Sequence, residues 1–213
     1  FNQKLQPVYQ AINLVRNNLV KEKSLIGFIG GFFTLFAYLI EGKPSKNYKK
    51  SIEFIKNNPR QYQELKSIII KALILHLKQQ IKNGVDTIKI FDSHAGSVPN
   101  ELYNELIIEP SKEIIQAIRK FNKETIIITF PRGSKEVNYY DYIEKVKPDI
   151  IALDQFFNID KIDEVRKTFN IAGKDAAKEI AKELAPDPLN VDRLILNRLF
   201  HQTPDFPDKK NIN

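Results

Sequence analysis

The sequence contains no cysteine, no methionine and no tryptophan, and only three histidines. Without cysteine there is no disulfide, no thiol nucleophile and no thiolate-ligated metal. Long apolar runs are missing too. The most apolar stretch, Leu25 to Ile40, is broken by Gly27, Gly30 and Gly31, so it falls short of the roughly 18 residues a membrane span needs. It reads instead as a buried strand followed by a helix. No signal-peptide pattern is visible, and a cytoplasmic, reducing setting is expected. The chain begins at Phe1, so it is expected to be part of a longer gene product.

What is present is a chain of 213 residues, 42% hydrophobic, enough for one sizeable core. The net charge is +7 and the sequence pI about 9.3. Such a balance fits either lysines on solvated helix faces or a basic cleft for an acidic partner. Nucleic acid is a poor match for that partner: the lysines are scattered, and no stripe of arginine interleaved with aromatics occurs.

Four short runs read as buried strands: "LIGFIG" (Leu25–Gly30), "TIKIFD" (Thr87–Asp92), "TIIITF" (Thr125–Phe130) and "DIIALD" (Asp149–Asp154). Each is rich in β-branched or aromatic residues and bounded by turn formers, as in parallel strands covered on both faces. Helical patterns separate them. Leu65, Ile68, Ile69, Ala72, Leu75 and Leu77 form one, with Gly84 as its terminator. Leu102 to Phe121 forms another, with Pro110 as an interior kink. A third runs around Tyr140–Val146 and stops before Pro148.

Strand–helix alternation predicts a parallel α/β fold, either an open doubly wound sheet or a closed barrel. "GFIGG" lacks the G-x-G-x-x-G spacing of dinucleotide-binding sheets. The expectation is therefore a (β/α)8 barrel, incomplete in this chain because a full one takes about 250 residues. Residues 1–170 would hold the partial barrel. Residues 171–213, with "GKDAAKEIAKEL", "NVDRLILNRLF" and a polar tail, would form a divergent helical segment.

The densest polar cluster, Asp92, Ser93 and His94, stands where the strand "TIKIFD" ends. In parallel α/β proteins the C-terminal strand ends face the active site. Alone, an Asp or Ser there is equally a cap for the next helix. Three consecutive residues cannot meet in triad geometry, and no G-x-S-x-G elbow exists. The other strand ends add weight. "TFPRGS" brings Arg132, "IALDQ" brings Asp154, and the glycines Gly27–Gly31 lead into a helix carrying Tyr38.

These segments together resemble the uroporphyrinogen decarboxylase family. Its "LIGFxGxPWTLxxYxxEG" appears here as "LIGFIGGFFTLFAYLIEG", its "FESHAG" or "FDSWAG" as "FDSHAG", its "GADAxQI" as "GVDTIKI". Its "FP(R/K)G" matches "FPRG", and its "GLDW" matches "ALDQ". "KLQPVYQAINLVRNNL" matches the lead-in helix, so the resemblance runs from about Leu5 to Phe169. It implies a (β/α)8 barrel, usually homodimeric, that removes CO2 from the four acetates of uroporphyrinogen III without metal or cofactor. Protonation of a pyrrole carbon makes the ring an electron sink, so the protein has only to position the macrocycle and stabilise charge. Tyr38 would hydrogen-bond near the reacting acetate, and Ser93 would contact a substrate carboxylate. Gly30 would line the cleft floor and Arg132 its rim, with His201 a distant echo of a family histidine. Asp92, His94, Arg132 and Asp154 would have mainly structural roles. The octa-anionic substrate matches the basic charge, and neither nucleic acid nor membrane is implied.

Phe32 and Phe33 stand where the family has Pro-Trp. The family's "RQAGR" arginines and "FSDI" aspartate have no counterpart in this sequence, and "NIAGKDAAKEI" replaces its "QGNLDP". No catalytic residue is assigned on that account, and poor turnover or none is the expectation. Two alternatives stay open: a non-catalytic relative retaining the fold, and a thiol-activating methyltransferase of the same superfamily, which the absence of cysteine disfavours.

Overall fold

The computed structural model describes residues 2–43, 45, 47–154, 157, 158 and 161. The helical patterns after residue 170 and His201 lie outside the described residues. The chain enters as α1 (Asn2–Asn18) and continues through β1 (Ile26–Gly30), α2 (Phe32–Glu41), α3 (Lys49–Asn57) and α4 (Pro59–Lys82). After β2 (Thr87–Asp92) come α5 (Asn100–Tyr103), a π-helical turn (Asn104–Ile108), α6 (Glu109–Phe121), β3 (Ile126–Pro131), α7 (Glu136–Val146) and β4 (Ile150–Ile151).

All strands pair in parallel, in chain order β1-β2-β3-β4. That order decides between the two parallel architectures. A doubly wound sheet reverses direction at a switch point, whereas a barrel steps the same way at every crossover. No reversal occurs here, so the described residues form four consecutive strands of a (β/α)8-type barrel.

Alternation along the strands sends successive side chains to opposite faces. Ile29, Ile88, Ile90 and Ile127 meet the helices in one apolar core, with Phe32, Phe33 and Phe36 of α2, Leu73 and Leu77 of α4, and Ile114 and Ile118 of α6. Burying each such side chain contributes about 1.5–3 kcal/mol. The intervening residues Phe91, Ile128, Phe130, Ile150 and Ala152 form a separate, smaller cluster on the inner face. Phe28, on the same face of the edge strand, is 65% exposed. Its backbone is closed off from the helix side: Gln80 of α4 accepts from the Phe28 N–H and donates to its carbonyl, each at 3.0 Å.

The breaks follow local chemistry. α4 ends at Asn83, and Gly84 takes φ 102° just beyond it. The long pattern from Leu102 to Phe121 is split by the π-helical turn directly before Pro110, which absorbs the missing proline N–H. The third helix starts earlier than its periodicity suggests, at Glu136, and ends at Lys147 with φ 54°. The expected strand Asp149–Asp154 shortens to two paired residues. The Asp149 carboxylate accepts from the Ile127 N–H at 2.7 Å and pairs with Arg119 at 2.5 Å, so a side chain joins the backbone bond from the Asp149 N–H to the Ile127 carbonyl at that strand's start. α3 was not anticipated from the sequence.

Candidate active site

The ends of β1, β2 and β3 are knitted together by their own backbone. Gly31 donates to the carbonyl of Phe91 at 2.7 Å, Arg132 to that of Asp92 at 3.1 Å, and Gly96 to that of Arg132 at 2.9 Å. Two of these contacts require glycine. A Cβ on Gly31 would meet the Asp92 carboxylate at 2.5 Å, and a Cβ on Gly96 would collide with the Gly133 backbone. The glycines after these strands therefore serve close approach, and the polar side chains of three strand ends converge as a result.

Asp92 is buried and turned toward the helices. Its Oδ1 accepts from the Thr34 N–H at 3.1 Å and the Thr34 hydroxyl at 2.7 Å, satisfying an orphan donor in the first turn of α2. Burial pushes its carboxyl up to about 6, while the bonds from Thr34 pull the other way. Asp154 is also engaged: its Oδ2 accepts from the Gly133 N–H at 2.5 Å and the Tyr139 hydroxyl at 3.3 Å. The structural roles expected of these two residues fit these bonds.

His94 sits at the centre of the remaining groups. Its Nδ1 is 2.7 Å from the Tyr48 hydroxyl. Its ring lies 4.7 Å from the Tyr48 ring and 5.4 Å, edge to face, from that of Tyr38. Nε2 is buried with no hydrogen-bond partner. Burial, and then the positive charge of Arg132, lower the His94 pKa. At neutral pH the ring is therefore uncharged, with one buried nitrogen unengaged and a guanidinium near enough to act on it electrostatically. That arrangement can bind an oxyanion.

Of the residues singled out in the sequence, Tyr38, His94 and Arg132 come together here. Ser93 is half-buried in the turn immediately before His94. Among the described residues no hydrogen bond joins Ser93 to Tyr38; the Tyr38 ring meets His94. Gly30 ends β1 opposite Phe91. Two residues escaped sequence reasoning. Tyr48 lies in the lysine-rich loop "EGKPSKNYKK", which carries no motif. Lys89 faces the inner side of β2, its Nζ 4.6 Å from the Phe91 ring centroid and 5.6 Å from that of Phe130. Burial lowers its amine to about 8. A lysine amid the apolar run "TIKIF" was the available signal. Among the described residues no cluster of three His, Asp or Glu side chains suits a metal ion, and no helix is long and apolar enough to cross a membrane.

Parallel strands stepping in one direction, with polar groups gathered at their C-terminal ends, define a barrel-type α/β protein with a strand-end site. Comparison with known proteins makes the class specific. The sequence model of the family described as uroporphyrinogen decarboxylase (URO-D) matches residues 1–175. The chain belongs to that family. A Rickettsia bellii (strain RML369-C) protein named uroporphyrinogen decarboxylase is 35% identical over 211 residues, 99% of this chain and 59% of its own length. Its namesake from Rickettsia massiliae (strain Mtu5) is 38% identical over 163 residues, 76% of this chain and 47% of its own length. The chain thus spans about half to three-fifths of these curated relatives.

Proposed function

We propose that this chain forms the carboxylate-binding half of a uroporphyrinogen decarboxylase, acting in the conversion of uroporphyrinogen III to coproporphyrinogen III. The observation that carries this reading is the meeting of Tyr38, His94 and Arg132 at adjacent strand ends in a chain of this family. Arg132 and the unengaged His94 nitrogen supply a cation and a ring nitrogen for a substrate carboxylate. Ser93 and the Tyr38 hydroxyl lie beside them as neutral donors, with Gly30 on the cleft floor. Lys89 adds a second cation deeper on the inner face. Asp92 and Asp154 bind protein groups, so neither is assigned to the pyrrole nitrogens. The reaction proceeds without metal or cofactor: ring protonation creates the electron sink, and the released CO2 leaves a methyl after a second proton transfer. Residues 1–170 are assigned to the barrel and residues 171–213 to a distinct segment that includes His201. The assembly is assigned as a cytoplasmic homodimer.

Two measurements test this. Binding of uroporphyrin, the oxidised octacarboxylate, should be detectable with the wild-type chain and fall about tenfold in Arg132→Gln, the loss of one charge-assisted contact. Anaerobic incubation with uroporphyrinogen III should yield products with fewer carboxylates, insensitive to chelators. Binding without any turnover would move the reading to the non-catalytic relative, and no binding would reject the site.

A further inference from the structure

Tyr48 has a conformation that its sequence does not favour. Its backbone is left-handed, φ 50° and ψ 37°, at the residue preceding α3. An aromatic residue there costs on the order of 1–2 kcal/mol. The other non-glycine residue with positive φ among those described, Lys147, sits exposed at a helix C-terminus, where this conformation is ordinary. Tyr48 is instead 3% exposed and at a helix start.

The surroundings hold it there. Its N–H donates to the Ser45 hydroxyl at 3.2 Å, and its ring meets the edge of Phe33 at 5.7 Å. The Glu41 carboxylate accepts from both the N–H and the hydroxyl of Ser51 at 3.0 Å, bracketing the loop between α2 and α3. The strained backbone turns the side chain toward the strand ends, where its hydroxyl reaches His94 Nδ1 at 2.7 Å.

We propose that Tyr48 is a positioning residue: its hydroxyl donates to His94 Nδ1 and fixes the imidazole as the Nε2–H tautomer. A phenol is a stronger donor than acceptor, and the Ser45 backbone already acts on the oxygen of this hydroxyl, lowering its pKa against the larger effect of burial. Burial, Tyr38 and Glu41 all hold the Tyr48 hydroxyl protonated. The groups facing His94 are Tyr48, Tyr38 and Arg132. None of them is a carboxylate that would favour a charged ring. Nε2–H is then a fixed donor, buried and without a hydrogen-bond partner. The tautomer rests on this geometry alone; that its N–H meets a substrate carboxylate rests on the proposed function.

The test is nitrogen NMR of the full chain labelled with 15N-histidine, where only three histidines contribute. Wild-type His94 should show a protonated Nε2 and a bare Nδ1. In Tyr48→Phe, which keeps the ring, His94 should become a mixture of tautomers. The hydroxyl bond favours the neutral ring, so its loss should raise the His94 pKa by roughly half to one pH unit. His76, whose Nδ1 is 3.0 Å from the Tyr9 hydroxyl, is the internal reference and should not move. A wild-type spectrum with the proton on Nδ1 overturns the proposal, and so does an unchanged His94 in Tyr48→Phe. If that variant does not fold, the wild-type tautomer decides alone. No substrate is involved, so a failed turnover assay counts against the proposed function and leaves this inference standing.

Discussion

Among the described residues two tyrosine–histidine pairs are joined by hydrogen bonds of similar geometry. At the back, Tyr9 of α1 bonds His76 of α4 at 3.0 Å; at the strand ends, Tyr48 bonds His94 at 2.7 Å. Burial lowers the pKa of both histidines, and at His94 the positive charge of Arg132 lowers it further. The tyrosines differ as well. Tyr9 lies within regular helix, while Tyr48 holds a left-handed backbone. The same contact therefore fastens one helix to another in the first case and orients a buried, unpartnered ring nitrogen at the strand ends in the second. Position relative to the strand C-termini separates a structural histidine from a candidate ligand-binding one.

The sharpest way to break that comparison is to damage one region and watch both histidines. Gly96→Ala forces a Cβ into the Gly133 backbone. Neither side offers a flexible side chain to yield, so stability should fall by about 3 kcal/mol or more. Denaturant melts read the loss, and the His94 resonance should shift while His76 stays in place. A variant as stable as wild type would show that the β2 and β3 ends are not held by this contact.

A second test uses pH. Asp92 has a folded pKa of about 6, against an ordinary value of 3.8, because burial penalises its charged form. A raised acid pKa means the folded state binds the proton more tightly than the unfolded one. Asp92 therefore favours folding below about pH 4, and this contribution is lost as pH rises through about 6. Over that window the shift corresponds to about 3 kcal/mol or somewhat less. Asp92→Asn keeps a carbonyl for Thr34 and removes the titration. Its stability relative to wild type should improve from pH 4 to pH 7. A constant difference across that range would show that the carboxyl titrates normally.

These groups also show how far the sequence was legible. The strands and their parallel order followed from apolar runs, because parallel strands repeat a local pattern; the contact of His94 with Tyr38 and Tyr48 did not, since His94 read as structural. Local rules failed where the partner is distant in sequence. Asp92 does cap a helix, as an Asp after a strand often does, but it caps α2, 58 residues back, not the helix that follows it. Tyr48 was invisible because its role comes from a left-handed backbone inside a lysine-rich loop. Lys89 reads as an error in an apolar strand until the inner face places it between Phe91 and Phe130. The pairing of Asp149 with Arg119 and with the Ile127 N–H beside β4 is likewise one that no periodicity encodes.

The smallest expected effect sharpens the comparison most cleanly. Arg132 lowers the His94 pKa through its charge, after burial, and makes no such contribution at His76. Arg132→Gln removes the cation while keeping a polar side chain of similar length. A positive neighbour opposes protonation, so its removal must raise the His94 pKa. Arg132 is exposed, so water and salt screen the interaction, and a few tenths of a pH unit is the expected rise. The shift should shrink as ionic strength grows, because the Debye length falls from about 10 Å at 0.1 M to about 3 Å at 1 M. Burial does not respond to salt, so the remaining depression of the His94 pKa should persist at both concentrations. His76 should titrate identically in variant and wild type. A His94 pKa that ignores both the substitution and the salt would place the guanidinium away from the ring. The strand-end pair would then be electrostatically equivalent to the one at the back.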